Sequence, residues 1–270
     1  MRSCSCSGRR GAGKTVIDFN LTAGIVLLLF TTGLAAGFVD SIAGGGGLIA
    51  LPMLLAVGLP PQVALGTNKF QGSFGTFSAS LNFIRKRQVS LRECGFGILM
   101  TLMGAAAGAV TVQMLDPGFL TYLVPILLFL VLLYTVFSKG VGDAARPPKM
   151  NRSAFFILFG LGLGFYDGFF GPGTGSFWTA GCCLFLGYSL TRAAGVTRVM
   201  NFTSNIVSLS LFILGGNVLF TVGLCMAAGQ VVGARVGSGL AIRNGARFIR
   251  PIFTAVVAVT IARLVYASFG

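Results

Sequence analysis

Long apolar stretches dominate the chain and alternate with short polar ones. Four stretches carry no charged residue over the width of a bilayer, namely 19–39, 94–115, 118–137 and 206–234. A helix that spans the hydrocarbon core needs about 20 such residues. The pattern therefore predicts an all-α polytopic membrane protein. An outer-membrane barrel is excluded, because its strands alternate apolar and polar positions.

One polar interruption of the apolar pattern occurs twice. Residues 37–69 read GFVDSIAGGGGLIALPMLLAVGLPPQVALGTNK, and residues 164–198 read GFYDGFFGPGTGSFWTAGCCLFLGYSLTRAAGVTR. An offset of 127 aligns Asp40 with Asp167. After a slip of two residues, Lys69 aligns with Arg198. Self-similarity of this kind indicates an internal duplication, so we predict two homologous repeats.

Each repeat extends into five predicted segments. They are 20–41, 44–57, 61–84, 94–115 and 118–137 in the first half, and 153–167, 173–186, 189–214, 218–240 and 249–267 in the second. The second segment of each half is short. At 1.5 Å per residue, 44–57 reaches only about 21 Å, less than the ~30 Å hydrocarbon core. We therefore predict about four spanning helices plus one short broken or re-entrant segment in each repeat.

The same pattern predicts how the chain is organised. A polar N-terminal tail covers 1–18 and transmembrane repeat 1 covers 19–137. A basic linker at 138–152 separates it from transmembrane repeat 2 at 153–270. Because the paired motifs belong to both halves, we expect the repeats to form one integral membrane domain.

Composition and charge refine this picture. The mean hydropathy is +0.87 and charged residues make up 10% of the chain, against about 25% in soluble domains. The net charge of +14 comes from basic residues clustered in short loops, which are Arg85, Lys86, Arg87, Arg92, Lys139, Arg146, Lys149, Arg152, Arg243, Arg247 and Arg250. Such loops are typical of the cytoplasmic side of a membrane and do not indicate a nucleic-acid partner.

Equivalent loops of the two repeats differ in charge. The basic loop 85–92 corresponds to 215–217, which carries no charge, and 116–117, which carries no basic residue, corresponds to the basic 243–250. Because positive charge stays on the cytoplasmic side, the halves are predicted to have inverted orientation. The linker would then be cytoplasmic and both termini outside.

The two glycine-rich interruptions predict a functional site. Backbone that leaves helical geometry at membrane depth must face protein or a water-filled cavity, and a helix that begins there presents N–H groups that attract anions. Broken helices at matching positions of two repeats mark a transporter's central site. The predicted substrate-binding residues are Gly44, Gly45, Gly46, Gly47, Thr67, Asn68, Lys69, Gly171, Gly173, Thr197, Arg198 and Asn201.

Two carboxylates accompany these residues. The chain has no His, so Asp40 and Asp167 are predicted to carry any coupling proton. A structural alternative is that they only neutralise Arg198 and Lys69. Charges at membrane depth cost about 2.5–3.5 kcal/mol on insertion scales, so they are rarely without a role.

Two other sequence features do not change the picture. Residues 8–15 read GRRGAGKT and match a phosphate-binding loop, but that motif requires a buried strand before it, which 1–7 cannot provide. The six cysteines show no metal-ligand spacing, and buried cysteine usually behaves as a small hydrophobe. We predict no metal and no cofactor.

The paired motifs resemble a known family. DSIAGGGGLIALP, GLPPQVALGTNK, GFFGPGTGSF and VTRVMNFTSN are similar to the TauE/SafE sulfite-exporter-like permeases over about 22–267. The resemblance implies secondary active transport of small sulfur-containing anions such as sulfite, sulfonates or sulfoacetate. It also implies coupling to protons and a multi-pass location in the bacterial inner membrane.

The expected partners are the anion, protons and the bilayer, and a homo-oligomer is left open. We do not expect an enzyme. Two alternatives remain: an uncoupled anion channel with the same pore residues, and a membrane thiol or sulfur-relay protein that uses Cys182 or Cys183.

Overall fold

The computed structural model describes residues 22–137 and 147–244, and within these ranges the chain consists of helices and connecting turns without a strand. The helices are α1 (Ala23–Ala43), α2 (Gly47–Ala56), α3 (Pro61–Arg85), α4 (Leu91–Met114), α5 (Pro117–Phe137), α6 (Arg152–Phe155), α7 (Leu161–Phe169), α8 (Thr174–Phe185), α9 (Leu190–Leu214) and α10 (Phe220–Asn244). The predictions for the tail, for Arg247 and Arg250, and for a last helix at 249–267 lie outside the described residues.

The helix order matches the predicted order of segments. A π-helical turn at Phe156–Gly160 joins α6 to α7, and the junction residues keep right-handed helical dihedrals, so the three pieces run on as one helix. This helix corresponds to α1, while the short α8 corresponds to the short α2. The all-helical architecture confirms the predicted fold class.

Three of the described helices are long and apolar enough to cross a membrane: Ala23–Ile42, Leu91–Met114 and Phe220–Asn244. Helices α3 and α9 have 25 residues each, but polar residues interrupt their apolar character. Most of those polar residues are buried inside the protein. Because such residues face protein, α3 and α9 can lie at the centre of the bundle.

The two helix breaks meet at the middle of the molecule. Helix α1 ends at Gly44, which has a φ of 80°, and α8 follows Gly173, which has a φ of 82°. Such left-handed conformations favour glycine. A Cβ atom added at Gly44 would overlap the backbone of Gly175, and one added at Gly47 would lie 3.0 Å from the Cα of Pro172. The breaks therefore pack backbone against backbone.

The first helix of each half packs on the fourth helix of the other half. Helix α1 packs on α10, where Gly229 and Gly233 lie against the α1 backbone. In the same way α7 packs on α4, where Gly104 and Gly108 lie against the α7 backbone. The glycines spaced four residues apart thus serve close packing within the chain, as expected for membrane helices.

We expect Gly233→Ala to lower the stability of the protein in detergent. Its Cβ would overlap the carbonyl oxygen of Leu34, and overpacking of this kind typically costs about 1–3 kcal/mol. A matched control is Gly162→Ala, because nothing lies within 4 Å of a Cβ at that position. Thermal unfolding should show a lower midpoint for the first variant only. Equal midpoints would contradict the packing described.

Helices α3 and α9 cross antiparallel at the centre. Gly66 near the start of α3 lies close to Phe212 near the end of α9, and Phe83 near the end of α3 lies close to Gly195 near the start of α9. The rings of Phe77 and Phe202 meet between these points, with centroids 5.3 Å apart. The two helices occupy equivalent places in the two halves of the chain. Equivalent helices of the two halves therefore run in opposite directions here.

The two ends of the bundle differ in charge. Glu93 in the first turn of α4 lies 2.9 Å from Arg192 and 3.9 Å from Arg152, so three segments with basic residues gather at this end. At the last turn of α4, the neutral side chain of Gln113 accepts a hydrogen bond of 3.1 Å from Asn217. The basic and neutral loops therefore lie at opposite ends of α4.

Candidate functional site

Two buried ion pairs lie beside the helix breaks. The Nζ atom of Lys69 on α3 is 2.7 Å from Oδ1 of Asp167 on α7. The Nη1 atom of Arg198 on α9 is 3.2 Å from Oδ2 of Asp40 on α1. Each pair thus joins the acid of one half to the cation of the other half. The contacts match the structural alternative considered for these acids, and they place all four charges around one point.

The pair formed by Lys69 and Asp167 is almost completely buried. Their side chains are only 1% and 6% exposed. Lys69 occupies one carboxylate oxygen of Asp167, and the hydroxyl of Ser204 donates to the other. A buried pair repays the cost of removing its charges from water only when the remaining hydrogen-bonding capacity is also satisfied. The carboxylate of Asp167 meets that condition, because both of its oxygens accept a hydrogen bond.

The pair formed by Arg198 and Asp40 has hydrogen-bond donors without partners in the described part of the chain and a partly exposed carboxylate. Arg198 is fully buried, and its Nη1 donates to both the carboxylate and the backbone carbonyl of Asp40. Its Nε and Nη2 have no hydrogen-bond partner among the described residues. Asp40 is 16% exposed, and its Oδ1 accepts a 3.3 Å hydrogen bond from the amide of Gly46. The two cations at equivalent positions therefore have different surroundings.

A small cavity of about 30 Å³ lies between the breaks and the central helices. It brings together eight predicted residues: Asp40, Gly44, Gly47, Asn68, Lys69, Asp167, Gly171 and Asn201. Four further residues line it, and these are Gln71, Gly72, Asn205 and Gln230. Carboxamides from α3, α9 and α10 thus surround the charges. Such groups offer both donors and acceptors to a ligand.

Two predicted residues have other partners. The hydroxyl of Thr67 accepts a 3.0 Å hydrogen bond from the amide of Leu219, which ties α3 to the start of α10. The hydroxyl of Thr197 lies 3.1 Å from that of Thr179, which ties α9 to α8. Both contacts hold helices next to the cavity.

The remaining predicted residues lie behind the cavity lining. Gly45 and Gly46 form the turn before α2, and Gly173 precedes α8. Arg198 does not line the cavity but pairs with Asp40, which does. These residues shape the site through the backbone and through Asp40.

Gln230 lines the cavity but is not among the predicted site residues. It is 2% exposed on α10 and lies close to the backbone of both Gly37 and Gly75. The available signal was a lone glutamine inside a long neutral apolar stretch. Buried polar side chains in a membrane segment usually mark an internal cavity or a helix contact.

The fold and the site define a class: a multi-pass helical membrane protein with ionisable groups held at two helix breaks. The comparisons agree, because the family model described as "Sulfite exporter TauE/SafE" matches residues 29–264. The chain belongs to this family of membrane transporters. No solved structure matches it significantly.

Curated relatives carry transporter names. A Haemophilus influenzae protein named "Probable membrane transporter protein" is 43% identical over 242 residues, which cover 90% of this chain and 95% of that protein. The Escherichia coli K12 protein "Probable membrane transporter protein YfcA" is 42% identical over 90% of each chain. An Arabidopsis thaliana protein named "Sulfite exporter TauE/SafE family protein 3" is 26% identical over 53% of this chain and 31% of its own length.

Proposed function

We propose that this protein is a proton-coupled secondary transporter of small sulfur-containing anions, such as sulfite, sulfonates or sulfoacetate. The observation that carries the proposal is the pair of crossed ion pairs at the two helix breaks. They supply two cations for an anion and two carboxylates for a proton at one buried place. The name of the matching family supports the sulfur-containing substrate class.

The size of the cavity favours a carrier over an open channel. A volume of about 30 Å³ holds roughly two water molecules, which is less space than a sulfonate group needs. Gly44 and Gly175 close the site by direct backbone contact. Anion binding therefore requires the two breaks to move apart, as in a carrier that alternates between states.

The distribution of charge supports inverted repeats in a bacterial inner membrane. The equivalent helices α3 and α9 run antiparallel, and the basic residues Arg152 and Arg192 gather at one end of the bundle. Positive charge on the cytoplasmic side would place this end, with the linker, in the cytoplasm.

Cysteine labelling in intact cells tests this orientation. In a cysteine-free background, Arg87→Cys should be protected from an impermeant maleimide. Gly118→Cys, and Leu214→Cys beside Gly216, should react. Leu214 is 83% exposed, so its thiol would be accessible. Labelling of Arg87→Cys together with Leu214→Cys would place equivalent ends of the repeats on one side and contradict the inversion.

The choice of substrate is tested with purified protein. Calorimetry would compare sulfite, thiosulfate, methanesulfonate and sulfoacetate with acetate and malonate as matched carboxylates. Proteoliposomes with an imposed pH gradient would then show whether the bound anion accumulates. We expect at least one sulfur anion to bind more tightly than the carboxylates and to accumulate. Binding and uptake of carboxylates alone would contradict the substrate class.

The same assay separates the transporter from a thiol protein. Cys182 and Cys183 are buried and have free thiols, whereas reactive cysteines are usually partly exposed and lie near positive charge. A cysteine-free variant should therefore keep its uptake. Loss of uptake after Cys182→Ser or Cys183→Ser in folded protein would favour a sulfur-relay role.

A further inference from the structure

The starts of the two short helices differ in the negative charge that lies beside them. The α2 end already has an internal anion, because Asp40 accepts a hydrogen bond from the amide of Gly46 just before that helix. The 12-residue helix α8 starts after Gly173 without a side-chain cap. The amides of Thr174, Ser176 and Phe177 donate to the carbonyls of Gly171 and Gly173. The attraction for negative charge at this end therefore comes from the helix dipole, which no carboxylate of the described residues caps here.

Two buried polar side chains lie close to this helix start. A Cβ atom at Gly175, in the first turn of α8, would lie 2.9 Å from Nη2 of Arg198 and 3.0 Å from Nδ2 of Asn201. Arg198 is fully buried and its Nη2 and Nε have no partner among the described residues. Buried donors without partners are costly. A ligand oxygen that reached Nη2 and Nε of Arg198 would satisfy them, once the backbone of Gly44, which packs against Gly175, has moved aside.

The charges facing the site sum to zero. Arg198 from α9 and Lys69 from α3 are positive, and Asp40 from α1 and Asp167 from α7 are negative. The other elements that face Asp40 present uncharged groups, which are Gly46 from the turn before α2, Gly175 from α8 and Gln230 from α10. A monoanion that enters alone would leave one uncompensated negative charge, which is expensive in a buried site.

We propose that a bound oxyanion replaces the Asp40 carboxylate on Arg198 while Asp40 takes up one proton, so that each negative charge crosses the membrane with one proton. The step forms an O–H bond between the Asp40 carboxylate and a proton taken from water, and the hydrogen bonds that the guanidinium donates to that carboxylate are replaced by hydrogen bonds to the ligand. Release on the other side reverses both changes. This inference rests on the proposed transport function, and it assigns the α8 start, Arg198 and Asn201 as the anion subsite.

Asp40 is the more accessible of the two carboxylates. It lines the cavity and is 16% exposed, with its cation at 3.2 Å. Asp167 also lines the cavity, but both of its oxygens are occupied, by Lys69 at 2.7 Å and by Ser204. Protonating Asp40 breaks the longer ion pair and frees the cation that has spare donors. The exchange therefore couples the proton to the anion at one residue.

The test uses methanesulfonate in proteoliposomes, because this anion stays singly charged across the working pH range. A gradient of one pH unit, alkaline inside, should drive about tenfold accumulation if one proton crosses with each anion, since one unit is a factor of ten in proton concentration. A membrane potential set with potassium and valinomycin should leave that ratio unchanged. Asp40→Asn should lose the accumulation but keep the exchange of labelled for unlabelled methanesulfonate.

Asp116→Asn is the matched control, because Asp116 lies in the exposed turn before α5 and an asparagine keeps the cap to the amide of Phe119. It should behave as the wild type. A second measurement does not depend on any variant: calorimetry in buffers of different ionisation enthalpy should show one proton taken up per methanesulfonate bound by the wild type.

The outcomes are distinguishable. Accumulation that follows the membrane potential, binding without proton uptake, or continued concentration by Asp40→Asn would each overturn the inference and leave the transport function intact. If the wild type neither binds nor exchanges methanesulfonate, and takes up no sulfite under either gradient, the proposed function itself fails.

Discussion

Arg198→Lys is expected to weaken the binding of methanesulfonate about ten- to hundredfold in protein that still inserts and folds. Arginine holds Asp40 through Nη1 while Nε and Nη2 remain without partners, and its planar fork can grip two oxygens at once. Lysine keeps the charge but offers a single point of contact. Losing a hydrogen bond to a charged group typically costs about 1.5–3 kcal/mol, which gives the expected change in affinity.

A matched substitution tests whether the effect belongs to the site. Arg192→Lys changes the same side chain at the bundle end, where Arg192 is 44% exposed and pairs with Glu93. We expect it to leave the dissociation constant unchanged in calorimetry. If Arg198→Lys binds methanesulfonate as tightly as the wild type, Arg198 serves insertion or packing and the anion binds elsewhere.

Asp167→Asn is expected to destabilise the protein by about 3–5 kcal/mol, because it leaves a buried lysine without its counter-charge. Lys69 is only 1% exposed and its Nζ lies 2.7 Å from the carboxylate. The loss should appear as a lower midpoint in thermal or denaturant unfolding in micelles. Asp116→Asn, an exposed acid replaced in the same way, should change little.

Removing both charges should recover most of this loss. The double variant Lys69→Met with Asp167→Asn has no unpaired buried charge, and replacing a whole buried pair is often close to neutral. The measured interaction between the two positions then comes from a double-mutant cycle. A single variant as stable as the wild type would show that Lys69 reaches water or another partner in solution.

Sequence patterns predicted the elements, and the structural alternative also named the pairing of Asp40 with Arg198 and of Asp167 with Lys69. The breaks at Gly44 and Gly173 could be predicted, because polar glycine-rich stretches inside apolar ones are local signals. The acids and cations could be listed from their equivalent positions. The burial and the distances of these pairs depend on how α1, α7 and the central helices cross, and no local pattern contains that information.

The different surroundings of Lys69 and Arg198 could not be predicted either. Lys69 and Arg198 occupy equivalent positions, and their different environments arise from neighbours far away in the chain. Ser204 completes the shell around Asp167, while the backbone of Asp40 takes a second bond from Arg198. Gln230 was missed for the same reason, because its role comes only from its contact with α1 and α3.

The packing of each half's first helix on the other half's fourth helix has a consequence for biosynthesis. Helix α1 finds its main packing partner only when α10 has been made, about 200 residues later, which takes roughly 10–40 s at 5–20 residues per second. Lys69 lacks its partner until Asp167 on α7 has been made, and Asp40 lacks its partner until Arg198 on α9 has been made. The first half must therefore wait in the membrane with two unpaired charges. We expect truncated chains that end before α9 to be recognised as unfinished and degraded.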